Sequence, residues 1–252
     1  MRFASLGSGS EGNGLVVEAG STRLLVDCGF GLADSVARLA RLGLQPADLA
    51  GIVVTHEHSD HIGGVGRLAR KHKLPVWLTA GTLVMAQDLD GVAVQVIDSH
   101  AAFAVDGLEI QPFPVPHDAR EPVQFVFGDG DRRLGVLTDV GCSTPHIETM
   151  LGGVDALVLE CNHDAAMLEK GPYPASLKRR VGGRFGHLEN GQSAALLDKL
   201  KHDRLRCVMA AHVSKTNNTA GLARRALAQV LDCADDEVGV ACQTTGFDWI
   251  KI

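Results

Sequence analysis

The chain has 252 residues, of which 45% are apolar, 21% charged and 4% aromatic, and its formal net charge is −6. At this length a folded chain hides roughly 70–75% of its unfolded surface, and the apolar fraction excludes a disordered protein. No apolar run approaches the ~20 residues that span a bilayer, Met1–Gly7 offers no signal-peptide core, and the net acidity argues against a general nucleic-acid coat protein.

In chain order, Gly7–Gly12 matches G-x-G-x-x-G, but a strand pattern follows it rather than the helix a dinucleotide fingerprint needs. It reads as a tight turn lining a site, with backbone N–H groups able to meet an anion. Strands are predicted over Gly14–Glu18 and Arg23–Asp27, a helix over Ala33–Leu42 ending at Gly43, a strand over Gly51–Thr55, a helix over Gly64–His72 and a strand over Val76–Thr79. Strands follow at Val92–Ile97, Phe103–Val105, Leu108–Val115, Val123–Phe127 and Leu134–Thr138, the last two joined by Asp129-Gly130-Asp131. A helix at Pro145–Leu151 precedes a strand at Ala156–Leu159; helices at Pro174–Val181 and Gly191–Lys201 precede a strand at Cys207–Ala211. A helix at Ala220–Leu231 and a closing strand at Val238–Cys242 complete two β-rich halves with helices outside, in one unit. The six cysteines form no C-x-x-C pair and mostly flank apolar segments, so they read as buried free thiols and the compartment as cytoplasmic.

There are eleven histidines against one tyrosine, and they are gathered. Directly after the strand Gly51–Thr55 comes His56-Glu57-His58-Ser59-Asp60-His61. Burying so many ligating groups together without a cation would cost several kcal/mol in unpaired polar atoms. His56 and His58 can turn to one side of an extended turn while Asp60 and His61 open a helix and face a second point, an arrangement suited to two metals.

His-x-His-x-Asp-His after a buried strand resembles the signature of the metallo-β-lactamase fold. The resemblance implies a four-layer αββα sandwich with a dinuclear site at one edge, over residues 1–252 as a single domain. Further matches follow in order. Asp27 resembles a supporting aspartate, His117 (56 residues beyond His61) the third histidine of the first metal, Asp139 the bridging aspartate and His212 the last ligand of the second. The implied assignment is His56, His58 and His117 on one ion, Asp60, His61 and His212 on the other, and Asp139 on both. Imidazole and carboxylate ligands suit two divalent ions of zinc, manganese or iron.

Asp139 stands where true metallo-β-lactamases have cysteine, and His58 where flavodiiron reductases have glutamate. Only 73 residues separate Asp139 from His212, too few for the β-CASP insertion of related nucleases, and no tRNA-clamping arm is visible. The segments Leu6–Asn13, Leu159–Asp164, Gly186–Asn190 and Ala211–Asn218 resemble the YycJ/WalJ-type branch, with Glu189 replacing an expected serine. Members of that branch resemble phosphodiesterases and are described as 5′-to-3′ exonucleases on DNA, so DNA is the expected substrate and no membrane partner is expected. Between residues 165 and 215 ten Lys or Arg face four acids, a net +6 that could place a basic face beside the metals; the remainder is −12. With one tyrosine and two tryptophans, extensive base stacking is not expected.

The mechanism this implies uses a hydroxide bridging two ions, which bring a water's pKa toward ~7. Asp60 would orient it and His187 would protonate the departing oxygen, by resemblance to ribonuclease Z-like enzymes. Ser10, His163, Asn217 and Asn218 would contact phosphate, His163 alternatively bracing a ligand. The competing reading is a small-molecule hydrolase acting on a cyclic phosphodiester or a glyoxalase II-like thioester.

Overall fold

Along Thr22–Val26, Leu24 and Val26 join one apolar cluster and Leu25 another, and all three are buried. This period-two alternation, with apolar residues on both faces, marks a strand covered on both sides. The structure is a computed structural model that describes residues 1–252. Its first half runs β1 (Arg2–Gly7), β2 (Gly14–Ala19), β3 (Thr22–Val26), α1 (Leu32–Arg41), β4 (Gly51–Val53), α2 (Ser59–Ile62), α3 (Val65–His72), β5 (Val76–Thr79), α4 (Ala80–Met85) and β6 (Val94–Ile97). The second runs β7 (Phe103–Val105), β8 (Leu108–Pro114), β9 (Val123–Gly128), β10 (Arg133–Leu137), α5 (Pro145–Leu151), β11 (Ala156–Glu160), α6 (Ala165–Lys170), α7 (Ala175–Val181), α8 (Asn190–Leu200), β12 (Cys207–Ala211), α9 (Ala220–Leu231) and β13 (Gly239–Val240). A last strand, β14 (Phe247–Lys251), returns to the first half.

Each half makes a seven-stranded sheet, ordered β14-β1-β2-β3-β4-β5-β6 and β13-β12-β11-β10-β9-β8-β7. In both, antiparallel pairing on one side gives way to a parallel block: β3 to β6 in the first sheet and β10 to β13 in the second. Phe3, Leu24, Val53, Phe125, Val136 and Val158 pack in the cluster between the sheets. Outside the first sheet, Leu25, Ile52 and Leu78 pack with Leu39 of α1 and Leu68 of α3; outside the second, Leu157 and Leu159 pack with Leu196 of α8 and Leu227 of α9. The layers are therefore helix, sheet, sheet, helix. Crevices at the carboxyl ends of parallel strands are where open α/β sheets place ligands, and here two such edges share one rim.

The strands β5, β7 and β12 and the helices α5 and α9 span their predicted residues. The closing strand differs: Val238–Cys242 contributes only Gly239 and Val240, and the chain ends instead on β14, which pairs Arg2 with Lys251 across the whole sequence. β1 is buried along five of its six residues and so lacks the alternation that marks a half-covered strand. Thr55 and Thr138, predicted as strand ends, leave the ladders to serve the site. All six cysteines are free as expected, but only Cys28 and Cys161 are buried and Cys242 is exposed, so the expected burial holds for two of them. No helix is long and apolar enough to cross a membrane.

One ion cluster at the sheet surface gives a stability test. Glu18 accepts from Arg2 Nε at 2.6 Å and Arg23 Nε at 2.5 Å. Burial works to raise its pKa, yet the two guanidinium groups outweigh it and hold the carboxyl below the usual range. A depressed pKa contributes stability above the unfolded-state value that is lost as pH falls through the folded one. Glu18→Gln is expected to lower Tm at pH 7 by about 2–4 °C, for roughly 1 kcal/mol. Thermal melts should show the gap closing as pH falls below the carboxylate range.

Candidate metal centre

The turn after β4 begins with Thr55, whose N–H and hydroxyl donate to the two oxygens of Asp27 at 2.8 and 2.7 Å. With its one proton committed, the Thr55 oxygen can only accept from His56 Nδ1, 2.9 Å away, which leaves His56 Nε2 bare. Asp27 also holds His61 Nδ1 at 2.7 Å. His117 Nδ1 reaches the Gly186 carbonyl at 3.0 Å, and His212 Nδ1 reaches Glu160 Oε1 at 3.2 Å. Four imidazoles are thus anchored through Nδ1 with Nε2 left over, the arrangement that fixes the tautomer of a ligating histidine.

The free nitrogens converge on two points. His56 Nε2 lies 3.0 Å and His117 Nε2 3.2 Å from His58 Nδ1, so one trio gathers His56, His58 and His117. A second group gathers Asp60, His61, Asp139 and His212. In it His61 Nε2 is 3.4 Å from Asp60 Oδ2 and 3.1 Å from Asp139 Oδ2, and His212 Nε2 is 3.4 Å from Asp60 Oδ2. Asp139 Oδ1, 3.9 Å from His117 Nε2, faces both groups. Its buried Oδ2 faces no polar group but the His61 ring nitrogen and makes no well-aligned hydrogen bond, so a cation would satisfy it. Burial works to raise Asp139, but the imidazoles of His212 and His61 outweigh it and hold the carboxyl well below its usual range. Burial pushes His56 well down, helped by the neighbouring imidazole of His61, so its neutral, ligating form dominates. These residues fit divalent cations by donor chemistry, convergence and the under-satisfied carboxylate oxygen.

Asp27, Asp139 and His212 each follow a parallel strand with φ between 52° and 58°. This left-handed conformation is uncommon for residues other than glycine and turns the chain sharply at the rim. The turn carrying Asp60 is packed equally tightly from below: a Cβ on Gly29 would sit 1.9 Å from the Asp60 carbonyl oxygen. Gly29→Ala is expected to displace that turn and weaken divalent-ion affinity about 10–100-fold. Chelator competition on folded protein measures it; unchanged affinity would mean the turn shifts without moving its ligands.

A third cluster extends the site. Glu160, wholly buried at the end of β11, accepts from His187 Nδ1 at 2.8 Å and His212 Nδ1 at 3.2 Å on one oxygen, and from the Val140 and Leu188 N–H groups on the other. Burial works to raise its pKa, but His187 and His212 outweigh it, bringing Glu160 down to about 2. His187 is raised in turn: burial lowers it and Glu160 more than compensates. Sequence reasoning missed Glu160, although its motif was in view, because nothing local distinguishes it from another polar strand end. It also missed Asn13, whose Nδ2 meets Asp60 Oδ2 at 3.2 Å and whose Oδ1 accepts from Ser8 Oγ and Gly9 N. Ser8 Oγ in turn accepts from His212 N, so the glycine turn is a strut of the site.

Among the residues expected to meet phosphate, Ser10 lines the cavity over these ligands, about 380 Å³ in volume, as do Asp60 and His187. The other three sit outside the residues that line it. His163 is 3% exposed and its Nδ1 lies 3.3 Å from Asn162 Oδ1, while the Asn162 amide donates to the His212 carbonyl. Asn218 is buried and joins Asn190 to the Cys161 carbonyl; Asn217 is 1% exposed and outside the cavity. Glu189 occupies the N-cap of α8, where its N–H donates to Gln192 Oε1, so the departure from serine is accommodated there. Of the ten cations between 165 and 215 only Arg180 lines the cavity, while Lys199, Lys201 and Lys215 pair with Glu148, Asp198 and Glu11.

Residues 22–209 match the family model described as "Beta-lactamase superfamily domain". The chain is 37% identical over 247 residues to exodeoxyribonuclease YycJ of Bacillus anthracis, covering 96% of this chain and 93% of that one. It is 32% identical to exodeoxyribonuclease WalJ of Streptococcus pneumoniae, covering 95% and 91%. The crystal structure of the metallo-beta-lactamase fold protein YhfI from Bacillus subtilis superposes with a TM-score of 0.77 at 18% identity, over 99% of this chain and 98% of that one. The chain has the metallo-β-lactamase fold and belongs to the beta-lactamase superfamily, in its YycJ/WalJ-type branch.

Proposed function

We propose that this chain is a metal-dependent phosphodiesterase that degrades DNA as an exonuclease of 5′-to-3′ polarity, in the cytoplasm, with residues 1–252 as one domain lacking a β-CASP insertion. The observation that carries this reading is the pair of adjacent ligand groups, His56, His58 and His117 beside Asp60, His61, Asp139 and His212, at a cavity that also holds His187, with Asp139 Oδ1 3.9 Å from His117 Nε2. Kinship to two proteins named exodeoxyribonucleases supports the substrate class.

His56, His58 and His117 would hold one divalent ion, Asp60, His61 and His212 a second, with Asp139 shared; zinc, manganese and iron all suit these donors. When bound, such ions supply Lewis acidity that makes a nucleophile available near neutral pH and offsets charge on the phosphate. Asp60, steadied by Asn13, orients the attacking water by accepting a hydrogen bond. His187, held on Nδ1 by Glu160 and raised in pKa, keeps a proton on Nε2 for the departing oxygen. Ser10 at the rim offers a hydroxyl to a phosphate oxygen.

The test is incubation of purified protein with Mn²⁺ and DNA labelled at either end, alongside RNA and a thioester. DNA shortened from the 5′ end is expected, with His58→Ala reduced at least ~100-fold. Absence of phosphodiester cleavage, or His58→Ala matching wild type, would sink the reading.

A further inference from the structure

One wall of the cavity has no part in the chemistry above. Tyr173, Leu177 and Val181, spaced by four residues, fall on one face of α7 and its leading turn, and all three line the cavity over the ligand groups. They are half-buried, and α7 has no fully buried residue, so this face is not consumed by a core. The chain's only tyrosine therefore stands in the cavity. Beside this stripe Arg180 donates from Nε to Asp118 Oδ2 at 2.5 Å while its side chain stays 62% exposed. Asp118 itself lies 3.5 Å from His117 Nε2 and 3.8 Å from His58 Nε2.

An occupant of this space must put an anionic group against the ligand cluster and Arg180, and a flat apolar group against α7. At about 380 Å³ the cavity is near the small end of ligand sites, about 300–1,000 Å³, so it suits one such unit. A nucleotide meets these demands. We propose that Tyr173, Leu177 and Val181 are the binding wall for the base of the terminal nucleotide, and that Arg180, exchanging Asp118 for substrate, takes the phosphate. Aromatic and aliphatic contact with a base face is tolerant of sequence, because every base has one. The wall selects for the presence of a base, not its identity. This rests on the DNA phosphodiesterase reading.

The test compares single-stranded oligonucleotides that end in a normal nucleotide or in an abasic tetrahydrofuran residue, placed at each end in turn. Metal-loaded wild type, Tyr173→Ala and Tyr173→Phe are assayed for kcat/KM. Wild type is expected to favour the normal end by about 10-fold, Tyr173→Phe to keep that preference, and Tyr173→Ala to cut it below about 2-fold. The preference is a ratio within each preparation, so partial misfolding of a variant cancels. Equal cleavage of both ends by wild type, or an undiminished preference in Tyr173→Ala, overturns the wall. No cleavage of any DNA by wild type overturns the phosphodiesterase reading beneath it.

Discussion

Asp139→Ala is expected to reduce DNA cleavage on the order of 10³-fold or more and to lower the number of divalent ions retained after dialysis. Asp139 is the one carboxylate facing both ligand groups: Oδ1 lies 3.6 Å from His212 Nε2 and 3.9 Å from His117 Nε2, and Oδ2 lies 3.1 Å from His61 Nε2. Its position is set by a left-handed turn after β10 and by Gln124, which bonds both the N–H and the carbonyl of Thr138. Without the carboxylate, the buried rings of His61 and His212 lose their shared counter-charge. The metal-free protein should report the same group. There burial works against protonating His61 and His212, but Asp139, joined by Asp27 at His61 and by Asp60 and Glu160 at His212, outweighs it and raises both, His212 to about 10. A raised pKa contributes stability that is present below the unfolded value and is lost as pH rises through the folded one. An incoming cation has to displace those protons, so affinity should climb with pH and binding near pH 7 should release about two protons. Calorimetry in buffers of differing ionisation heat measures that release; no proton release in wild type would contradict the pairing.

How far the site is readable from residues depends on how local its physics is. His56, His58, Asp60 and His61 were legible because four ligating groups within six residues at a strand end have no inexpensive structural explanation. His117, Asp139 and His212 have ordinary local contexts and became candidates through the family pattern and their places after strands. Glu160 was out of reach for the same reason: its role exists only because the fold brings His187 and His212, 27 and 52 residues away, onto one oxygen. The placement of the other polar candidates has an equally physical reason. His163, Asn217 and Asn218 are polar residues beside ligand motifs, and polarity alone does not say whether a side chain faces the cavity or props the loop behind it. The sandwich as a whole followed from the resemblance, since strand periodicity says nothing of which strands pair. The union of β1 with β14 joins the two ends of the chain, a contact no window of sequence contains.

Glu160→Gln should separate positioning from ligation. The glutamate uses one oxygen for the N–H groups of Val140 and Leu188 and the other for the Nδ1 atoms of His187 and His212. A glutamine keeps the shape but has one oxygen and one amide donor, so with the backbone N–H groups claiming the oxygen, its NH₂ faces both imidazoles. Each ring must then offer a lone pair at Nδ1, which moves the proton to Nε2. For His187 this removes the anion that raises its pKa, so less of it is protonated at neutral pH. Cleavage of DNA, whose leaving oxygen needs a proton, is expected to fall about 10²–10⁴-fold, and the alkaline limb of the rate profile should move to lower pH. A p-nitrophenyl phosphodiester releases a stable phenolate and scarcely needs that proton. Its cleavage should fall far less, provided His212 still binds its ion. If both substrates lose activity equally and ion content drops, Glu160 acts through His212 and the metal. If only the demanding leaving group suffers, Glu160 acts through His187, and the carboxylate at the end of β11 is what makes that histidine an acid.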